Sequence, residues 1–358
     1  MAVGLGIKKT MLNEELAFLY DNNFTHGNAP SWNEIPPEDQ PFVEAWEEYI
    51  RDIPEKGVLN ALRERLVQLN FPVQEEMSTN PNYQAATRRG LATTTMKEAT
   101  GTKLEETGLK VYLYQTMAGR IPVIETSSRN DFETLVRAFS HRNEPVAIPL
   151  AMGACMIKGY NNWDRVAKYK QKCGEHFNFS EMKAHKELYQ DVFLILTDTE
   201  YSSVPAHMLG LNDDEWRKLS MVIRREHEST HYFTLRFLGS ARNHLLDEFI
   251  ADYMGIVAAA GRYRADWFLC FMGLENYPAF RPAGRLTNYL KNIDLSAEAF
   301  NELKSCVRNA ALNVEAFASK YTEVYSAQGK YEMLLQLSKT NLIELATNYS
   351  DKIIPINL

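Results

Sequence analysis

The sequence predicts an α+β protein, mostly helical, in which a small β-sheet precedes two adjacent helices. Three observations predict it. β-branched and aromatic runs cluster between residues 110 and 197, apolar residues recur at spacings of three and four on either side of them, and one continuous helical pattern begins near Asp213.

In chain order, apolar spacing predicts helices over 42–50 and 58–69, in a region broken by Pro30, Pro36, Pro37, Pro41, Pro54, Pro72 and Pro81. Strands are expected over 111–116, 121–126, 146–150 and 192–197, with a helix over 131–139 between them. Gly159, Tyr160, Asn161, Asn162, Trp163 and Asp164 read equally as a cleft lining and as a capped helix start with a buried Trp163. Asn212 followed by Asp213, Asp214 and Glu215 is an N-cap with an acidic first turn and a capping box of the Asn type. From Trp216 the apolar positions keep helical spacing, and Gly239 is placed to end the run. A strongly apolar helix follows over 245–256, and helical spacing returns over 286–290, 300–314 and 331–345. The expected organisation is a helical lobe (1–105), a sheet with a helix (106–200), a helix pair (201–285) and a C-terminal helical region (286–358).

Composition excludes several function classes. The chain of 358 residues is 45 % hydrophobic and 24 % charged, which suits a globular protein with a large core. A net charge of −7 argues against nucleic acid or an anionic membrane as partner. Cys155, Cys173, Cys270 and Cys306 lack CxxC spacing, so free thiols are expected. Residues 1–20 have no continuous apolar stretch and no run of 18 apolar residues occurs, so the expected location is the cytoplasm.

The chemistry concentrates in His227-Glu228-Ser229-Thr230-His231, an HExxH pentapeptide inside the helix that starts near Asp213. Residues four apart lie one turn above each other on a helix, so both imidazoles can face one ion. Neutral imidazoles suit Zn²⁺, and a carboxylate beside them can take a proton from activated water, the role read for Glu228. Ile223, His227, His231, Thr234 and Leu238 share a face, which directs the histidines inward. A third ligand is needed from elsewhere. On the next helix, Glu248 and Asp252 share a face with Leu245, Ala251, Gly255 and Ala259, small residues among them permitting close helix approach. Glu248 is read as the third ligand, and Asp252 as the carboxylate that accepts the other N–H of a ligating imidazole. Histidines satisfied by hydrogen bonds in a core are the plainer account of such a pair, and ion pairs with Arg224, Arg225, Arg236 or Arg242 are the plainer account of the carboxylates. A metal satisfies all these groups together. The remaining histidines, His26, His141, His176, His185 and His207, have no ligand-spaced partner.

HExxH followed on the next helix by ExxxD resembles the gluzincin branch of the zincin metallopeptidases. The resemblance spans residues 212–256 and implies His227, His231 and Glu248 as zinc ligands, Glu228 as the catalytic base and Asp252 as the orienting residue. The interval between His231 and Glu248 is slightly shorter than in the best-known gluzincins, which leaves Asp247 or His244 open as the ligand. Residues 152–165 and 224–255 also resemble a bacterial family without an assigned activity, which implies no substrate. Together these readings predict a zinc-dependent hydrolase acting on a peptide or protein, with the sheet strand over 192–197, or its nearest neighbour, offering an edge to the substrate. An oxyanion donor is expected among His244, Tyr253, Tyr263, Tyr277, Arg281 and Arg285. The alternative is a non-catalytic zincin-like binding module or a helical scaffold, against which an intact Glu228 argues.

Overall fold

Alternation and side-chain branching place four strands in the middle of the chain, and helices account for most of the rest. The computed structural model describes residues 14–91, 101–242, 244–290 and 293–347. Contacts divide the chain into two units, Pro36–Thr199 on one side and Met1–Ile35 with Glu200–Leu358 on the other. The expected sheet region thus shares a unit with residues 36–105, and the helix pair shares one with the C-terminal region.

The first unit contains helices α1 (Phe42–Lys56), α2 (Val58–Arg63) and α3 (Pro81–Arg89), then strands β1 (Lys110–Thr116) and β2 (Gly119–Thr126). After these come α4 (Arg129–Ser140), β3 (Ala154–Asn161), α5 (Trp163–Cys173), α6 (Phe179–Ala184) and β4 (Gln190–Thr197). The strand order is β1-β2-β4-β3, with β2 and β4 parallel and both outer pairs antiparallel. Gly119, at φ 88°, closes the tight turn between β1 and β2, a conformation that favours glycine. Ile121, Val123, Ile124, Phe193, Leu194, Ile195 and Leu196 are fully buried, the unbroken apolar run expected of central strands covered on both faces. Phe132, Leu135 and Val136 of α4 pack onto this sheet.

Three expectations change here. Residues 146–150 form no strand: Pro149 has no N–H to give a ladder, Leu150 is exposed, and the third strand is 154–161 instead. Strand β4, which contains residues 192–197, is interior and paired on both sides, so among the described residues the edge falls to its neighbour β3 instead. The helix expected over 58–69 stops at Arg63 and resumes as a 3-10 turn, Val67–Asn70. Asn162 caps α5 by accepting from the N–H groups of Asp164 and Arg165, so the segment after Gly159 is a helix start, with Trp163 half-buried.

The second unit holds α7 (Asp213–Phe237), α8 (Leu245–Ala260), α9 (Ala265–Met272), α10 (Ala297–Lys320), α11 (Ala327–Leu337) and α12 (Leu342–Thr347). The pattern over 331–345 is interrupted after Leu337, and residues 286–290 belong to a 3-10 turn, Arg285–Tyr289. Asn212 caps α7 by accepting from the Glu215 N–H, while the Glu215 carboxylate meets the Asn212 amide rather than its backbone. Gly239, at φ 69°, terminates the helix as its position suggested. Almost every residue of α8 from Leu245 to Val257 is buried, so this helix is packed on all sides. Helices α7 and α8 pack closely because Gly255 lies against Ile223, where a Cβ would stand 2.8 Å from the Ile223 carbonyl oxygen. All four cysteines are free thiols. No helix among the described residues is long and apolar enough to cross a membrane.

Candidate metal centre

Helical period carries His227 and His231 onto the buried face of α7, where they are 6 % and 8 % exposed. Their Nε2 atoms lie 3.1 Å apart. Glu248 reaches them from the first turn of α8 and straddles the pair, with Oε2 3.5 Å from His227 Nε2 and Oε1 3.5 Å from His231 Nε2. One ligand atom from each of the three residues lies within 4.8 Å of the others. Ligand atoms around a tetrahedral ion with bonds of 2.0–2.2 Å stand about 3.3–3.6 Å apart, close to these separations.

Asp252 is fully buried one turn further along α8, and its Oδ1 accepts from His227 Nδ1 at 2.9 Å. A carboxylate at Nδ1 fixes that nitrogen as the N–H, which leaves the Nε2 lone pair facing His231 and Glu248. His227, His231 and Glu248 together form a group that could hold a metal ion. Glu228, between the two histidines in sequence, is half-buried.

Burial pulls the His227 imidazole down, but hydrogen bonds to Asp252 and Glu248 outweigh it and hold the ring up at about 10. Burial pushes Glu248 up, yet the hydrogen bonds from both histidines hold its carboxyl well below the usual range. The cluster concentrates negative charge and demands a cation at Nε2, a demand that a proton meets in the absence of metal. The two imidazoles and the carboxylate therefore fit a bound ion.

Asp247 and His244 are elsewhere. Asp247 accepts from the Arg242 N–H at 2.9 Å and from the Ser240 hydroxyl at 3.4 Å, closing the link between α7 and α8. Its burial raises its carboxyl, with the Arg242 N–H opposing. His244 turns its Nε2 to the Phe18 carbonyl at 3.1 Å. Of the three candidates for the third position, Glu248 is the one that faces the histidines, since neighbours on a helix diverge by about 100° and only one of two adjacent carboxylates can do so.

Three further side chains complete the site. Tyr201 donates to Asp252 Oδ1 at 2.6 Å and meets His227 Nδ1 at 2.9 Å. It sits beside Ser202 and Ser203, at φ 55° and 53°, two consecutive non-glycine residues in the left-handed region. Such backbone costs about 1–2 kcal/mol per residue, and strain of this kind gathers at functional sites. Arg285 donates to Asp252 Oδ2 and lies 3.8 Å from Glu248 Oε2, its guanidinium 5.1 Å from the Tyr201 ring centre. Tyr289 donates to Glu248 Oε2 at 3.2 Å.

Of the six residues considered as oxyanion donors, Arg285 is the one with contacts to this cluster. Arg281 instead pairs with Glu275, Tyr277 stacks with Arg308, and Tyr253 and Tyr263 pack against each other in the core. Tyr201 and Tyr289 carry no sequence signal that would have selected them. Both lie in 3-10 turns, where apolar periodicity is silent.

A family model described as "Family of unknown function (DUF7005)" matches residues 5–349. No curated protein and no solved structure matches the chain.

Proposed function

For a chain that belongs to the family of unknown function DUF7005, we propose a zinc-dependent hydrolase, a metallopeptidase in which Glu228 is the general base. The observation that carries this reading is the convergence of His227 Nε2, His231 Nε2 and the Glu248 carboxylate, with Glu228 built into the same helical turn. The resemblance of HExxH and ExxxD to the gluzincins supports it from the sequence.

His227, His231 and Glu248 would hold the ion, and three protein ligands are the number that leaves a position open for chemistry. A zinc ion there supplies Lewis acidity, which polarises a carbonyl and lowers the pKa of water. Glu228 takes the proton from the attacking water and delivers it to the leaving amine. Asp252 and Tyr201 keep His227 in one tautomer, so its Nε2 stays available to a cation. Substrate is a peptide or protein, and the four free thiols with a net charge of −7 support a cytoplasmic setting.

A peptide-library screen of wild type against Glu228→Gln tests the proposal. Wild type should cleave, and the variant should keep its zinc and fold while losing turnover by about 10²–10⁴-fold. Equal cleavage by both proteins would place the activity outside this site. Zinc binding with no cleavage by either would favour a binding module.

A further inference from the structure

Arg285 and Tyr289 stand four residues apart at the ends of one 3-10 turn, and the carboxylates they touch, Asp252 and Glu248, stand four apart on α8. We propose that the turn Arg285–Tyr289 is a clamp that positions the metal-facing side chains: Arg285 fixes Asp252, and through it His227, while Tyr289 fixes Glu248. This inference rests on the metal-site reading above and assigns the turn a role in setting the site's geometry.

The turn is suited to the task because it is itself anchored. Leu286 is fully buried. Gly284, directly before it, lies against the end of α9, where a Cβ would stand 2.3 Å from the Met272 carbonyl oxygen and 2.4 Å from Gly273 Cα. No side chain fits there, so the turn's start is pressed onto a rigid helix terminus. From that base the Arg285 guanidinium spans Asp252, Tyr201 and the neighbourhood of Glu248 while stacking within 5.1 Å of the Tyr201 ring centre and 6.0 Å of the Phe271 ring centre. A planar, multiply donating cation can serve several acceptors in fixed directions, which a lysine cannot.

The two contacts act on different parts of the site. Asp252 Oδ1 is occupied by Tyr201 and His227, and Arg285 takes the remaining oxygen, so the carboxylate plane cannot rotate away from the imidazole. Tyr289 holds Oε2 of Glu248, the oxygen nearer His227, which favours one orientation of that carboxylate over free rotation. Partners of this kind around a metal site typically set affinity by 10–100-fold when removed.

The competing account is that Arg285 only balances the charge of a buried carboxylate, and stability data alone would not separate the two. The test therefore reads coordination. Zn²⁺ affinity is measured by competition with a chromophoric chelator, and Co²⁺-substituted protein reports ligand geometry through its visible absorption, for wild type, Tyr289→Phe, Arg285→Met and Arg285→Lys. Thermal unfolding of the metal-free proteins is followed alongside. Tyr289→Phe loses one hydroxyl and should keep its metal-free stability, yet bind Zn²⁺ about 10–100-fold more weakly, with a changed Co²⁺ spectrum. Arg285→Met should weaken binding as well, and Arg285→Lys should recover the charge without recovering the wild-type spectrum. If Arg285→Met does not fold, Tyr289→Phe decides alone. Wild-type affinity and spectrum in folded Tyr289→Phe and Arg285→Lys would overturn the clamp while leaving the metal site intact. A wild type that binds neither ion would overturn the metal site itself, and the clamp with it.

Discussion

Asp191, fully buried, and Glu248, half-buried, are carboxylates beside aromatic side chains, one in each unit, and the groups around them differ in kind. Asp191 receives Arg165 on one oxygen at 2.7 Å and both Asn162 at 2.7 Å and Trp46 at 3.0 Å on the other. Its surroundings are donors, and its charge is cancelled by Arg165 in a closed ion pair. Glu248 faces two imidazole nitrogens that also face each other. In the first cluster every acceptor already has a hydrogen to accept, so the network is complete as built and serves to knit α1, α5 and β4 together. In the second, two imidazoles and the carboxylate converge on one point, and in metal-free protein the His227 imidazole, held up at about 10, supplies the positive charge. The two polar networks thus differ in what closes them: an arginine in the first, and in the second a convergent group of side chains that could hold a metal.

Breaking the closed cluster should produce the larger loss of stability. Asp191→Ala leaves Arg165 buried without its partner and should cost about 3–5 kcal/mol in chemical denaturation. Chelators should not change that figure. An Asp191 variant as stable as wild type would show that the network contributes little and would weaken the contrast.

Of the two clusters, the one between α7 and α8 was partly legible in the sequence, whereas the Asp191 network was not singled out there. His227, Glu228, His231, Glu248 and Asp252 declare themselves because helical period converts spacing into direction, and the structure brings the two histidines and Glu248 together. Tyr201, Arg285 and Tyr289 could not be found that way: each joins the site across a long sequence interval from an irregular turn. Strand prediction failed where local chemistry misled. Residues 146–150 look β-branched but carry Pro149, whereas β3 contains Lys158 and Gly159 because the strand is bulged there, with a register shift between Lys158 and Tyr160. The helix pair was the easier inference, since the small Gly255 marks the place where α7 and α8 touch.

That contact supplies a second test. Gly255→Ala inserts a methyl group against the Ile223 carbonyl and should cost about 1–3 kcal/mol while forcing the helices apart. Zn²⁺ affinity should fall in the same variant, because the ligands are divided between the two helices. Loss of stability with unchanged affinity would show that the site tolerates helix displacement.

A smaller effect distinguishes the clusters by pH. In metal-free protein His227 is held up at about 10, so its contribution to stability is fully present below the ordinary value of 6.5 and lost as pH rises through about 10. Glu248 is depressed, so its contribution is present above 4.5 and lost as pH falls through its lowered value. Between 6.5 and about 10 the site carries a proton that a metal must displace, and Zn²⁺ affinity should rise by up to about tenfold per pH unit for each proton released. Chelator competition at several pH values measures the slope. A flat profile would mean that His227 is not a ligand.

The central claim is that one ion completes the α7–α8 cluster, and elemental analysis of protein purified without chelator addresses it most directly. Wild type and Asp247→Asn should carry about one Zn²⁺ per chain, and His231→Ala and Glu248→Gln should lose most of it. Wild-type protein that is metal-free and takes up no added zinc, or zinc content that is equal in wild type and His231→Ala, would contradict the account.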